Sequence, residues 1–264
     1  MTTNNRQRLI IRVGRGSLAF STVEGINEVR YDNYALNSSI SMAANLREAL
    51  RTAPLLGDSY ERVLVSIDAT ILMIPTELYH EEEQELLYNH TFTGSEHQVL
   101  LHSVVPELNC VAVYAVPRDL YGVIEEAFPH PSYTASSLPV WRHLHQRSYT
   151  GQRSKLYAYC HERCMEVMAF GQNRFKFYNA FTVNNADDTL YYLLSVWQQH
   201  ALDANHDELY LVGEFADSKA LTACASEFIR RVFTIIPSGE FNRAPVTQLE
   251  GVPYDIVTLY MKGR

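Results

Sequence analysis

Leu9-Ile10-Ile11-Arg12-Val13-Gly14-Arg15-Gly16-Ser17-Leu18-Ala19-Phe20 is the stretch on which the reading of this chain turns. Leu9–Val13 is a mostly apolar run of strand length, and a second run starts at Leu18. Gly14-Arg15-Gly16-Ser17 between them suits a tight turn, because glycine tolerates the positive φ that turns demand. The stretch therefore reads as a hairpin. Its layout returns 147 residues later (position 9 falls on 156), where Leu156-Tyr157-Ala158-Tyr159 sits opposite Leu9–Arg12 and Met165-Glu166-Val167 opposite Leu18–Phe20. With the same offset Tyr34 falls on Phe181, Ile40–Leu50 on Asp187–Trp197, and Arg62-Val63-Leu64-Val65 on Leu209-Tyr210-Leu211-Val212. Few residues are identical and no gap is needed. A repeat on this scale sets the fold before any short motif does.

Each copy reads as β-β-β-α-β-α. In the first, strands are expected at Leu9–Val13, Leu18–Val23, Val29–Leu36 and Arg62–Ile67. An amphipathic helix lies over Ile40–Leu50, with Asn37-Ser38-Ser39 offering caps. In the second, strands are expected at Lys155–Cys160, Met165–Phe170, Arg174–Phe181, Glu208–Val212 and Val232–Ile236, with helices at Asp187–His200 and Asp217–Ile229. The first half carries additional material at about 70–140: Thr70–Ile74, an acidic helix around Glu81–Tyr88, a hairpin of His97–Val105 with Asn109–Val116, and a helix Leu120–Ala127. Trp141–Lys155 holds Arg142, Arg147, Arg153 and Lys155 with no acid among them, and the boundary is placed there, giving domains 1–150 and 151–264. The tail Pro253–Tyr260 reads as a closing helix. The fold class is α/β with a mixed sheet in each half, and two such units make a cleft, a usual place for a ligand.

The composition narrows the function. The 264 residues are 47% hydrophobic and 20% charged, which supports packed cores and argues against disorder. A net charge of −8 and a pI near 5.7 disfavour binding nucleic acid through its phosphates. Cys110, Cys160, Cys164 and Cys224 are too few for a disulfide scaffold, so reduced thiols in the cytoplasm are expected. Met1–Arg8 is polar, without the apolar segment of a signal peptide, and Val111–Val116, the longest apolar run, is far short of a membrane span.

The duplicated unit resembles the superfamily of actin, heat-shock chaperones and sugar kinases, ATPases built from two ribonuclease H-like domains around a cleft. Asn33–Leu36 and Ser41-Met42-Ala43-Ala44-Asn45-Leu46-Arg47 are similar to a family of uncharacterised Bacteroidetes proteins, a domain of unknown function with an actin-like fold. The superfamily resemblance implies an Asp-x-Gly in the first hairpin of each domain, whose aspartate holds metal-bound water and whose turn amides hold phosphate. It also implies a Gly-Gly after a later strand. These places fall on Arg12-Val13-Gly14, Tyr159-Cys160-His161 and Val212-Gly213-Glu214. Arginine cannot ligate Mg²⁺ and repels it, and Glu214 adds bulk and negative charge. The positions that could still touch a nucleotide are Gly14, Arg15, Gly16, Ser17, Gly213 and Glu214.

Each remaining cluster has a plain reading beside a chemical one. Gly14–Ser17 could cradle an anion but reads first as a hairpin turn. Cys160-His161-Glu162-Arg163-Cys164 holds zinc-type donors, yet no second ligand pair matches them, so it reads as a polar turn with two strand-end cysteines; a disulfide requires the two Cα atoms to face across the hairpin. Asp68 reads as a cap, His143 and His145 as surface residues near a linker, and Glu81–Glu85 as a solvated face. No catalytic residue, resident metal or cofactor is expected. The function expected is a non-catalytic actin-like binding or scaffold protein with an unknown protein partner and no insertion into membranes. The alternative is a switch or enzyme binding ATP or another phospholigand in the cleft, and a third reading is a filament.

Overall fold

The computed structural model describes residues 6–24, 28–94, 97–172, 174–215 and 217–261. They form two compact units, Met1–Leu138 and Pro139–Arg264. The first contains β1 (Arg6–Val13), β2 (Leu18–Glu24), β3 (Glu28–Tyr34), α1 (Met42–Thr52), β4 (Tyr60–Ile67), β5 (Ile71–Pro75), α2 (Gln84–Thr91), β6 (Gln98–Val105), β7 (Cys110–Pro117), α3 (Arg118–Ala127) and β8 (Ser132–Ala135). α4 (Ser137–Ser148) crosses the division. The second unit continues with β9 (Lys155–His161), β10 (Cys164–Gly171), β11 (Arg174–Thr182), α5 (Ala186–Gln199), β12 (Glu208–Gly213), α6 (Ser218–Phe228), β13 (Val232–Ile235), α7 (Pro237–Glu240) and α8 (Tyr254–Met261).

The two main sheets have the same strand order, β3-β2-β1-β4-β8 and β11-β10-β9-β12-β13. Their directions agree too. The first three strands run antiparallel, and the last two join parallel to the hairpin's first strand. Leu9 pairs with Thr22 and Leu156 with Ala169, while Leu18 pairs with Tyr34 and Met165 with Phe181. The offset of 147 thus holds across both hairpins. It holds along the helices as well: Leu46 and Ala49 on α1 are buried, and so are Leu193 and Val196 on α5. α5 begins one turn earlier because Asn185 accepts from the Asp188 amide, where Ser41 caps α1 through the Ala44 amide.

One correction concerns the fourth strand. Leu9 pairs with Val63, but Leu156 pairs with Leu209, one residue before Tyr210, the partner that the offset predicts. A strand's side chains alternate faces, so a slip of one exchanges core for surface. With the slip, the buried Val63 and Val65 correspond to the buried Leu209 and Leu211, and half-buried Leu64 to half-buried Tyr210. A second correction concerns the additional material. α3 and β8 belong to the common unit, as counterparts of α6 and β13, since β8 joins β4 in parallel as β13 joins β12. The insertion is β5 to β7 with α2, a separate three-stranded sheet of order β5-β7-β6 around Ile74, Tyr88, Val111, Val113 and Ala115.

The basic stretch expected to be a linker is largely helix α4, and the division falls at Leu138/Pro139, ahead of 150/151. Pro139 is tolerated because it lies in the helix's first turn. The apolar side of α4 supplies Trp141 and Leu144, both fully buried. β9 and the first seven residues of β10 are buried throughout, so both faces of this sheet are covered. One face packs Leu156, Ala158, Cys160, Met165 and Val167 against Leu193, Trp197 and Leu221. The other carries Tyr157, Tyr159, His161, Glu166 and Phe170, in contact with α4 and α8. The tail is helical as expected, and among the described residues no helix is long and apolar enough to cross a membrane.

Candidate functional site

The β1–β2 turn is closed by its own backbone: the Gly14 amide donates to the Ser17 carbonyl at 2.9 Å, and the Asp68 amide donates to Val13 at 2.8 Å. Arg12 is buried on β1, and its Nη1 donates to Ser17 Oγ at 2.7 Å. Arg15 points to the end of β4, where Nε meets Asp68 Oδ2 at 3.1 Å. Among the described contacts, the turn brings the Arg12 and Arg15 guanidinium groups and the Asp68 carboxylate to one end of the sheet, with Gly16 at an open position. Such a set suits an anion better than a cation.

The second and third expected positions come together, which spacing alone did not show. β9 pairs with β12 so that Tyr159 lies opposite Val212 and Cys160 opposite Gly213. Gly213 has φ +87°, and its Cα faces the Cys160 carbonyl so closely that a Cβ would overlap the oxygen. The next amide, Glu214, donates to that same carbonyl at 2.8 Å. Local packing thus accounts for glycine at 213, while Glu214 is exposed. Gly14, Arg15, Gly16 and Ser17 belong to one unit, Gly213 and Glu214 to the other.

The pentapeptide Cys160–Cys164 is not simply polar. His161 pairs directly with Cys164, so the β9–β10 turn is only Glu162-Arg163, both at positive φ (44° and 63°). Cys160, His161 and Cys164 are buried. Alternation puts Cys160 in the α5/α6 core and Cys164 on the opposite face with His161, which separates the two thiols, and no disulfide joins Cys160 to Cys164. Burial pushes the Cys160 thiol well above its ordinary range. Glu166, two residues beyond Cys164 on the same face, joins His161: their Nε2 and Oε1 atoms are 3.2 Å apart, and Trp141 Nε1 donates to Glu166 Oε2 at 2.8 Å. The Tyr159 ring stacks on His161 with centroids 4.7 Å apart. Glu166 was not singled out from the sequence. Its signal is the period of two in Cys164-x-Glu166, on a strand that the structure shows buried on both sides.

The basic stretch is engaged within its own unit. Arg147 pairs with Glu240 and lies over the Tyr210 ring, 5.2 Å from its centroid. His143 meets the other oxygen of Glu240 at 3.1 Å, and Arg153 meets Glu208 at 3.3 Å. His145 is buried against Phe170 rather than on the surface. Lys155 is buried too, with Nζ donating to the carbonyls of Ser148 and Thr150 at the end of α4, a cationic cap on the helix's negative pole. Burial draws its ammonium below the usual lysine range, and Glu208 acts in the opposite sense.

The sequence match to DUF3822, proteins of unknown function, extends over residues 1–232. The chain belongs to the DUF3822 family. No curated protein matches it significantly. Among solved structures this DUF3822 chain is similar to a Bacteroides thetaiotaomicron protein with an actin-like ATPase fold and unknown function, at 26% identity and TM-score 0.82, over 94% of this chain and 98% of that one. It is also similar to a chain of the PilM-PilN type IV pilus biogenesis complex, at 13% identity and TM-score 0.57, over 97% and 98% of the two chains. This DUF3822 chain thus has the actin-like ATPase fold, with a pair of like-ordered sheets.

Proposed function

We propose that this DUF3822 chain is a non-catalytic actin-like binding protein that acts through protein contacts. The observation that carries the reading is Arg12. It stands where the fold's ATPases are expected to place the aspartate that orders metal-bound water, and its guanidinium is buried and bonded to Ser17 Oγ at 2.7 Å. A fixed positive charge there repels Mg²⁺. Tyr159 at the matching place in the second unit supplies a ring stacked on His161, and Glu214 puts a carboxylate where the resemblance implies a second glycine. The PilM–PilN complex supplies a precedent of fold for action through a partner chain, with associational force only. Buried thiols at Cys160 and Cys164 that form no disulfide suit a reducing compartment such as the cytoplasm.

A second reading keeps anion binding without hydrolysis. It rests on the Gly14–Ser17 turn, where Arg12 and Arg15 are brought to one end of the sheet. Thermal unfolding with ATP, ADP and phosphate, with and without Mg²⁺, separates the two. A ligand at a hundredfold excess over Kd stabilises by about 2.7 kcal/mol. The proposal expects no shift with any nucleotide and no phosphate release above the buffer blank. Mg²⁺-dependent release, lost in Arg12→Ala, overturns it. A shift with phosphate or nucleotide that is independent of Mg²⁺ establishes the second reading instead.

A further inference from the structure

We propose that His161, Cys164 and Glu166 form a buried site for a divalent cation of the zinc class. The three side chains meet on one face of the β9–β10 hairpin, each offering a different donor, and their ligand atoms lie within 4.8 Å of one another. A tetrahedral zinc ion with bonds of about 2.0–2.3 Å separates its ligand atoms by about 3.3–3.6 Å. His161 Nε2 and Glu166 Oε1 already stand 3.2 Å apart, so this pair needs almost no movement. The Cys164 sulfur closes on them by a rotamer adjustment at a position paired directly across the hairpin from His161.

Charge and donor softness identify the ion. A thiolate and a carboxylate bring two negative charges, which a divalent cation neutralises, so the occupied site has no net buried charge. A sulfur, nitrogen and oxygen set selects zinc over magnesium or calcium, which take oxygen. The surroundings orient the ligands as a metal site requires. Trp141 Nε1 holds Glu166 Oε2 at 2.8 Å, leaving Oε1 turned toward His161. The Tyr159 ring stacks on the imidazole, with centroids 4.7 Å apart and planes inclined by 26°, and restricts the tilt of the ring. Three protein ligands leave the fourth position to a water molecule. On binding, Cys164 releases its thiol proton to solvent and the ligating imidazole nitrogen is unprotonated, so affinity rises with pH. An ion here ties the hairpin to α4 through Trp141. The site lies within the second unit and is independent of whether a nucleotide binds.

The test uses the full chain, untagged and stripped with a chelator, then titrated with zinc against a chromophoric competitor and separately with cobalt(II). Expected are one zinc per chain, visible cobalt bands of tetrahedral intensity and a thiolate-to-cobalt charge-transfer band in the near ultraviolet. Cys164→Ala should abolish the charge-transfer band and weaken zinc binding by at least about 100-fold, and Trp141→Phe should weaken it by about 10- to 100-fold. Cys224→Ser, at an exposed thiol, should change neither. Failure of the wild-type chain to give the charge-transfer band overturns the proposal and leaves a metal-free His-Glu-Trp network. So does a band that survives Cys164→Ala or disappears in Cys224→Ser. Should Cys164→Ala not fold, Glu166→Gln takes its place, with zinc affinity unchanged as the refuting result.

Discussion

Replacing Gly213 by alanine should destabilise the second unit by about 3–6 kcal/mol, and the structure divides that figure into parts. Gly213 has φ +87°, a left-handed conformation that disfavours a Cβ by about 1–2 kcal/mol. The added Cβ would overlap the Cys160 carbonyl oxygen and lie 3.0 Å from the Tyr159 ring. The obstacle is mainly backbone, so the end of β12 must move away from β9, an overpacking penalty of about 1–3 kcal/mol. That movement lengthens the 2.8 Å bond from the Glu214 amide to the same carbonyl, worth about 1 kcal/mol. Gly251 provides the control. It too has positive φ (+74°), but nothing lies within 4 Å of its ideal Cβ, so Gly251→Ala should lose only the conformational part, about 1–2 kcal/mol. Trp141 and Trp197 are the only tryptophans in the chain and both lie in the second unit, so their emission during urea unfolding reports that unit alone. If Gly213→Ala lost no more than Gly251→Ala, the close approach of β12 to β9 would not be the reason for glycine there, and a ligand at 213 would regain its standing as an explanation.

Other perturbations test other parts of the argument. Asn45 is buried, donates from Nδ2 to the carbonyls of Asn37, Ile40 and Ser41 and accepts from the Asn37 amide, so Asn45→Ala should destabilise the first unit by about 2–4 kcal/mol and speed exchange of the Asn37 amide; unchanged exchange would refute the clamp. Trp141→Phe leaves the buried Glu166 Oε2 without its 2.8 Å donor and should lower stability by about 2–3 kcal/mol in urea, whereas a loss below about 1 kcal/mol would mean that the bond contributes little net stability. Burial pushes Tyr88 up to about 12, and burial with the Glu208 hydrogen bond does the same for Tyr210, while Tyr157 and Tyr254 are raised further by burial. Folded values above the unfolded value near 10 favour the neutral phenols, so this stability is complete below about pH 10 and is lost as pH rises toward 12. Tyrosinate absorbance for these residues should appear together with loss of circular dichroism, and its appearance near pH 10 in a folded chain would contradict the burial.

What the sequence determined by itself is whatever period and turn chemistry encode locally. The apolar runs at Leu9–Val13 and Leu156–Tyr159, each followed by a turn and a second run, fix two hairpins, and the constant offset carries through β3 and along the helix to Leu46 and Leu193. That Arg12 and Tyr159 fall where the superfamily resemblance implies aspartate was equally legible, because identity at a counted position needs no coordinates. The pairing of β4 with β1 and of β12 with β9 was not. Parallel register depends on loop length and on which alternate residues find the core, and a one-residue difference between the copies went unseen until Leu156 was found opposite Leu209. Nor could the sequence place α4. Arg147 and Arg153 read as part of a boundary stretch because their partners Glu240 and Glu208 are distant in sequence, and a charge is recognised as engaged only when its counter-ion arrives. The triad of His161, Cys164 and Glu166 stands between these cases. Its donors sit within six positions, but only the buried face of the hairpin, held by Trp141 from α4, turns them toward one point. Alternation decides which side chains share a face, whereas burial and convergence arise from elements that the chain brings together only on folding.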